Sequence, residues 1–211
     1  MMRMRIVLFM CLAQLAGAAY AQTRITYHGC TDAAGNAVPA VPDATIDGVV
    51  ESRTADGVAA IHYNPQVLPR LLPETRLFLF AHECARHNLG LSTGVERTAG
   101  DARRADCHGL EALIRSGLLD ARQVATVQAD LAFSATEWRL VPGPARGFAL
   151  RACLDEGAAR RALVQPTPGQ PDWNACVRTC GERRRACRSQ VASCDEVYDR
   201  CVSLCDFSSP P

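Results

Sequence analysis

Six cysteines near the C-terminus constrain the fold more than any other feature of the sequence. They are separated by 4, 7, 7, 7 and 4 residues. At about 100° per residue, steps of four and seven keep side chains on one face of an α-helix. Two such helices packed antiparallel bring each cysteine opposite its mirror partner. The spacing therefore predicts a helical hairpin over residues 172–206 with three nested disulfides, Cys176–Cys205, Cys180–Cys201 and Cys187–Cys194.

The residues around these cysteines also favour a hairpin. Ser193 followed by Glu196 forms a capping box for the second helix, and Asp172 can cap the first. The arrangement resembles the twin Cys-x3-Cys helical hairpins of small intermembrane-space proteins, in architecture only. A zinc cluster is the alternative, since thiolates bind Zn²⁺, although zinc clusters usually use Cys-x2-Cys pairs.

The first 21 residues have the pattern of a cleavable secretory signal. Arg3 and Arg5 precede a mostly apolar run over 6–18, and Ala19-Tyr20-Ala21 is a small-x-small cleavage site. The apolar run is shorter than the about 20 residues that a transmembrane helix needs. We therefore expect a mature chain from Gln22 with no transmembrane span, and an uncleaved membrane anchor is the alternative.

The cysteine count and the composition agree with export from a bacterium. Cleavage would remove Cys11 and leave ten cysteines, an even number, as a disulfide framework in an oxidising compartment requires. The absence of Lys and the abundance of Ala are typical of GC-rich bacterial genomes. A net charge of +1 argues against nucleic acid as a partner. We expect a periplasmic or secreted protein whose partner is an unknown envelope or extracellular protein.

Residue patterning predicts one mainly α-helical α+β domain over 22–164, a proline-rich linker over 165–171, and then the hairpin. Strands are expected at 25–28, 45–53 and 58–63, with a hairpin turn at Asp56-Gly57. Helices are expected at 64–71, 73–89, 99–116 and 120–133, and a further helix that carries Cys153 is expected to start at Gly143-Pro144.

The segment 80–90 (FAHECARHNLG) comes close to a zinc-peptidase motif. Such peptidases place two His four residues apart on one helix face, with a Glu beside the first as general base. His82-Glu83 supplies the beginning, but the residue four positions after His82 is Arg86. His87 lies about 140° around a regular helix from His82, so these two imidazoles cannot hold one ion there.

With its surroundings, this segment resembles a known family. The chain is similar over roughly 23–164 to small exported bacterial proteins of the gluzincin metallopeptidase type, distantly similar to HtpX-like peptidases. The resemblance is carried by IHYNPQVLP (61–69), FLFAHECARHNLG (78–90), ADC (105–107) and PGPARGFALRAC (142–153). The family pattern is His-Glu-x-x-His on one helix and Glu-x-x-x-Asp on the next. The resemblance implies a zincin-like fold with a small N-terminal sheet.

Carried over by position, the resemblance assigns five residues. His82 matches the first metal ligand, Glu83 the general base and Asp106 the outer-shell carboxylate. Arg86 and Ala102 stand where the second and third ligands should be. A lone imidazole cannot hold catalytic Zn²⁺, which needs about three protein ligands. We expect Arg86 to take the place of the metal, with its charge paired to Glu83 and Asp106.

The four cysteines outside the tail are assigned in the light of this resemblance. Cys84 and Cys107 lie beside the two halves of the motif, so we expect a Cys84–Cys107 disulfide that pins the two helices. Cys30–Cys153 then remains by elimination.

Three functions stay open from the sequence. The favoured one is a pseudoenzyme of the metallopeptidase type, with no cofactor, that acts as a binding or structural protein in the cell envelope. The first alternative is an active zinc-dependent peptidase or hydrolase, with rearranged ligands drawn from His87, His108 and Glu96. The second alternative is an unrelated cysteine-rich binding protein.

Overall fold

The computed structural model describes residues 29–55, 57–91, 97–163, 170–187 and 193–208, without the side chains of 160–163, 170–171 and 206–208. The predicted signal peptide, the predicted strand at 25–28 and nearly all of the linker lie outside these residues. None of the helices within the described ranges has the length and apolar character needed to cross a membrane.

The described residues form a mainly helical chain with one small sheet, as the sequence predicts at that level. The strands are β1 (Ala40–Pro42), β2 (Val50–Ala55) and β3 (Val58–Tyr63). The helices are α1 (Pro73–Asn88), α2 (Ala99–Arg115), α3 (Val124–Asp130), α4 (Leu150–Leu163), α5 (Gln170–Ala186) and α6 (Cys194–Ser208), with a short 3-10 helix at Glu137–Leu140.

The sheet has the strand order β1-β3-β2 and lies against α1. β1 runs parallel to β3, and β2 pairs with β3 antiparallel, with Ser52 opposite Ile61. Side chains alternate between the two faces of a strand. Residues directly opposite each other on paired strands share a face, so the side chains of Ser52 and Ile61 lie on the same side of the sheet. Ile61 is buried in the core, and Ser52 reaches Glu83 on α1.

The helices α1 and α2 follow their sequence signals closely. Pro73 occupies the first turn of α1, and Gly90 ends it with a φ of 63°. Thr98 caps α2 by accepting a hydrogen bond from the Asp101 backbone N–H. The two helices approach closely at Gly109, where a Cβ would lie 2.6 Å from the Ala81 carbonyl oxygen. This close approach brings the polar residues of α1 and α2 together.

The helix predicted at 64–71 is wrong, because the side chain of Asn64 is used to build turns. Its amide donates to the carbonyls of Ala44 and Ile46, and its oxygen accepts from the Gln66 N–H. Leu68 has a φ of 46°, which a right-handed helix does not allow. The segment is a chain of turns that leads into α1.

Three other elements begin later in the chain than predicted. The strand expected at 45–53 begins only at Val50, since Thr45 turns back onto the Asp43 carboxylate. The helix expected at 120–133 is α3, Val124–Asp130, although Asp120 and Gln123 do form the reciprocal capping bonds. The helix expected from Gly143-Pro144 begins only at Leu150 and does carry Cys153.

The two disulfides predicted for the main domain are wrong. Cys30 pairs with Cys84, and Cys107 pairs with Cys153. Cys84 lies two residues after His82, about 200° around α1, and Cys107 lies one residue after Asp106, about 100° around α2. Both sulfurs therefore point away from the seam where His82 meets Asp106. The first disulfide ties α1 to the N-terminal loop, and the second ties α2 to α4.

The three disulfides predicted for the tail are confirmed. Cys176–Cys205, Cys180–Cys201 and Cys187–Cys194 join α5 to α6. Ser193 accepts a hydrogen bond from the Glu196 N–H at the start of α6, as a capping residue does. A chain with five disulfides suits a compartment outside the reducing cytosol.

The hairpin packs on the C-terminal end of α2. A Cβ at Gly181 of α5 would collide with the carbonyl oxygen of Ser116 and lie 2.6 Å from the carbonyl carbon of Gly117. Arg185 donates to the Gly117 carbonyl at 2.7 Å and to Asp120 at 2.9 Å. Close backbone packing at two glycines and an arginine clamp thus fix the hairpin to the main domain.

Candidate functional site

The motif residues on α1 and α2 meet in the core of the main domain. His82 and Asp106 are both buried, and the Nδ1 of His82 lies 2.7 Å from Oδ1 of Asp106. Asp106 is held as a carboxylate, so we assign the Nδ1 proton of His82 to this hydrogen bond. A carboxylate that orients an imidazole in this way is the usual support of a metal-binding histidine.

A second partner of Asp106 comes from the loop before α4. Arg146 donates from Nε to Oδ2 at 2.7 Å and from Nη2 to Oδ1 at 2.8 Å. Its guanidinium lies over the Phe148 ring, 4.7 Å from the centroid. Burial of Asp106 opposes its ionisation, but the hydrogen bonds from Arg146 and His82 outweigh burial and lower its pKa. Asp106 thus favours its charged form, and both of its oxygens accept hydrogen bonds.

Glu83 is fully buried and is hydrogen-bonded to a different arginine. Arg97, just before α2, donates from Nη1 to Oε1 at 2.7 Å, and the Ser52 hydroxyl donates to Oε2 at 2.6 Å. A general base in a peptidase must be able to accept a proton from water. Both oxygens of Glu83 already accept hydrogen bonds, from Arg97 and from Ser52, and this arrangement disfavours that role.

Ser52 also contacts His87, which lies 3.0 Å away through Nε2. Burial lowers the pKa of His87, and the charge on Glu83 opposes that effect. The neutral imidazole donates from Nε2 to Ser52, because the Ser52 proton is already directed at Glu83. Ser52 is therefore a bridge between β2 and α1 rather than an activated nucleophile.

Arg86 is the largest fully buried side chain described, with 2 % of its surface exposed. Burial lowers its pKa, as does the charge on Arg97, while Glu83 and Asp101 favour its charged form. Arg97 donates to Glu83 and Arg146 donates to Asp106, so each motif carboxylate has an arginine partner other than Arg86. The other predicted ligand position, Ala102, is fully buried and offers no donor atom.

The charged side chains around the motif have a positive net charge. Two carboxylates, Glu83 and Asp106, are surrounded by three guanidinium groups, those of Arg86, Arg97 and Arg146. The formal charges of these five groups leave a net charge of +1. Entry of a divalent cation would place two further positive charges in a buried region, where like charges repel strongly.

One atom of the cluster is suited to a metal or to a proton donor. The Nε2 of His82 is buried without a hydrogen-bond partner among the described residues, 3.8 Å from Oε1 of Glu83. Zinc needs about three protein ligands around one point. Within the described part of the chain, no three His, Asp or Glu side chains place ligand atoms within 4.8 Å of one another. The residues on α1 and α2 do not fit a zinc ion.

The proposed substitute ligands do not complete the site. His87 is hydrogen-bonded to Ser52, and His108 faces a cavity on the other side of α2, which His82 does not line. Glu96 lies outside the described residues. The structure thus gives no support to the rearranged set of ligands.

One cysteine cluster has the spacing of a metal site. The sulfurs of Cys176, Cys180 and Cys205 lie within 4.8 Å of one another. Each of them is already joined to another cysteine in a disulfide. A disulfide sulfur carries no thiolate charge, so this cluster is structural.

Three residues of the cluster were missed from the sequence. Arg146 could have been identified from the sequence, since it lies in the segment 142–153 that carries part of the family resemblance. Ser52 lies on the same face of β2 as the buried Val50, and alternation along the strand points it toward α1. No sequence pattern indicated Arg97, because it precedes α2 in a loop without helical or strand periodicity.

No protein-family model matches the chain, and no curated protein or solved structure does so.

Proposed function

We propose that this chain is an exported pseudoenzyme of the gluzincin metallopeptidase type, which acts as a binding or structural protein in the bacterial cell envelope. A buried arginine cluster takes the place of the catalytic metal in the main domain. The tail hairpin and the five disulfides keep the domain folded outside the cytosol.

The observation that carries this proposal is that each of the two motif carboxylates is bound by an arginine. Glu83 is bound by Arg97, and Asp106 is bound at two points by Arg146, so neither is available to a metal or to water. Arg86 adds a third buried positive charge. A buried cluster of charges holds together when its charges are paired and hydrogen-bonded. We therefore assign it a role in stability and none in Lewis-acid chemistry.

An engineered gain of metal tests the ancestry that the proposal assumes. In the double variant Arg86→His with Ala102→Glu, two ligands return to the positions that the family pattern requires. We expect about one tightly bound Zn²⁺ per chain, since catalytic zinc needs about three protein ligands. Each single variant should hold no stoichiometric zinc.

A matched double variant controls for adventitious binding. Arg139→His with Ala135→Glu adds the same two side chains on an exposed segment. Zinc should be absent from this control. If the site double variant folds with its disulfides intact and still takes up no zinc, the peptidase ancestry is rejected.

A further inference from the structure

A cavity of about 650 Å³ lies between the main domain and the tail hairpin. It is separate from the arginine cluster, since neither His82 nor Asp106 lines it. Pockets for small molecules usually measure about 300–1,000 Å³. The cavity is therefore large enough for one small ligand.

The walls of the cavity are mostly apolar and come from both parts of the chain. Leu77 and Phe80 of α1 and Leu113 of α2 form one side. Val177 of α5 and Val202 of α6 form the other. Each of these elements is fixed by a disulfide or by buried packing, so the cavity exists before any ligand binds.

The charged groups at the cavity all have the same sign. Arg115 and Arg184 line it, and no Asp or Glu is found among its described lining residues. Arg184 is held by Asp195 at 2.6 Å. Arg115 is exposed and forms no ion pair with any other residue in the described part of the chain. The cavity thus presents one uncompensated cation beside an apolar interior.

We propose that this cavity binds a small amphipathic carboxylate, with its apolar body between the hairpin and α1 and its carboxylate at Arg115. A guanidinium binds a carboxylate through charge-assisted hydrogen bonds, and the apolar walls favour a hydrocarbon chain. This inference names a ligand class for the binding role and in that respect rests on the proposed function.

Decanoate is a suitable probe, titrated below its micelle concentration into the mature full chain and followed by calorimetry. We expect one decanoate per chain. Arg115→Gln should weaken that binding by roughly tenfold. Arg151→Gln removes an exposed arginine outside the cavity and should leave binding unchanged. Ala112→Phe fills part of the cavity and should also reduce decanoate binding.

Comparison ligands test the two parts of the proposal. Decanol should bind more weakly than decanoate and should not respond to Arg115→Gln, while decyltrimethylammonium should bind poorly. Absence of decanoate binding, or equal binding of the cationic ligand, overturns the inference. Zinc content is measured on the same samples to separate the two proposals. Bound zinc together with normal decanoate binding rejects only the proposal of a pseudoenzyme. Zinc-free protein that does not bind decanoate rejects only the proposed ligand site.

Discussion

Arg146 donates hydrogen bonds to both carboxylate oxygens of Asp106, with Nε 2.7 Å from Oδ2 and Nη2 2.8 Å from Oδ1. Oδ1 of this carboxylate also contacts His82, whose Nδ1 lies 2.7 Å from it and 3.4 Å from Nη2 of Arg146. The loop before α4 is thereby tied to both helices of the motif. Asp106 therefore closes a buried ion pair within the core.

Loss of the Arg146 guanidinium should destabilise the fold strongly. Arg146→Met leaves the buried Asp106 charge without its main partner, which typically costs about 3–5 kcal/mol in the free energy of unfolding. Urea unfolding at neutral pH measures this loss. Arg151→Met is the matched control and should change stability by less than about 0.5 kcal/mol, because Arg151 is exposed. Equal effects of the two variants would contradict the account.

Stability should depend on His87 in a window below pH 6.5. Burial lowers the pKa of His87 from 6.5 in the folded chain. A lowered pKa means that the unfolded chain binds the proton more readily, so stability is full above pH 6.5 and falls as the pH drops through the folded value. His87→Gln should flatten the pH dependence of the unfolding free energy below about pH 6.5. An unchanged slope in that variant would show that His87 does not titrate in this way.

The disulfide pairing can be read directly by peptide mapping without reduction. We expect linked peptides for Cys30–Cys84 and Cys107–Cys153, and their absence in favour of Cys84–Cys107 would contradict the structure. Removal of Cys30–Cys84, which spans 54 residues, should cost about 4 kcal/mol in the loop-entropy model. Removal of Cys187–Cys194, which spans 7 residues, should cost only about 2 kcal/mol.

Docking of the hairpin should depend on Gly181. In Gly181→Ala, the new Cβ meets the backbone of Ser116 and Gly117, so the hairpin must shift away from α2. Burial raises the pKa of Tyr198 in the docked hairpin, and undocking should return it toward 10. Spectroscopic titration of tyrosine measures this change. Gly147→Ala, where nothing lies within 4 Å of the added Cβ, should leave the titration unchanged.

The sequence was most informative where local periodicity decides the structure. The cysteine spacing of the tail predicted its three disulfides, because a helix of fixed geometry leaves one antiparallel register that pairs all six. Pro73 and Gly90 marked α1 for the same reason, since a fixed φ and a positive φ act locally.

The sequence was least informative where distant residues decide the structure. The disulfide partner of Cys84 depends on how α1 packs against the N-terminal loop and against α2. No local sequence pattern predicts that packing. The arginine partners of Glu83 and Asp106 come from residues 14 and 40 positions away. Nothing in the local sequence of Arg97 distinguishes it from a solvated surface arginine.

Zinc content per chain is the most direct measurement of the central claim, that arginines take the place of the metal between α1 and α2. The purified mature protein is incubated with Zn²⁺, passed over a desalting column and analysed by elemental mass spectrometry, with its unfolding temperature recorded before and after chelator. The account predicts less than a tenth of an equivalent of zinc, roughly the background of adventitious binding, and an unfolding temperature that chelator does not change. About one equivalent of zinc that is lost with His82→Ala, together with a fall in unfolding temperature on chelation, would contradict it.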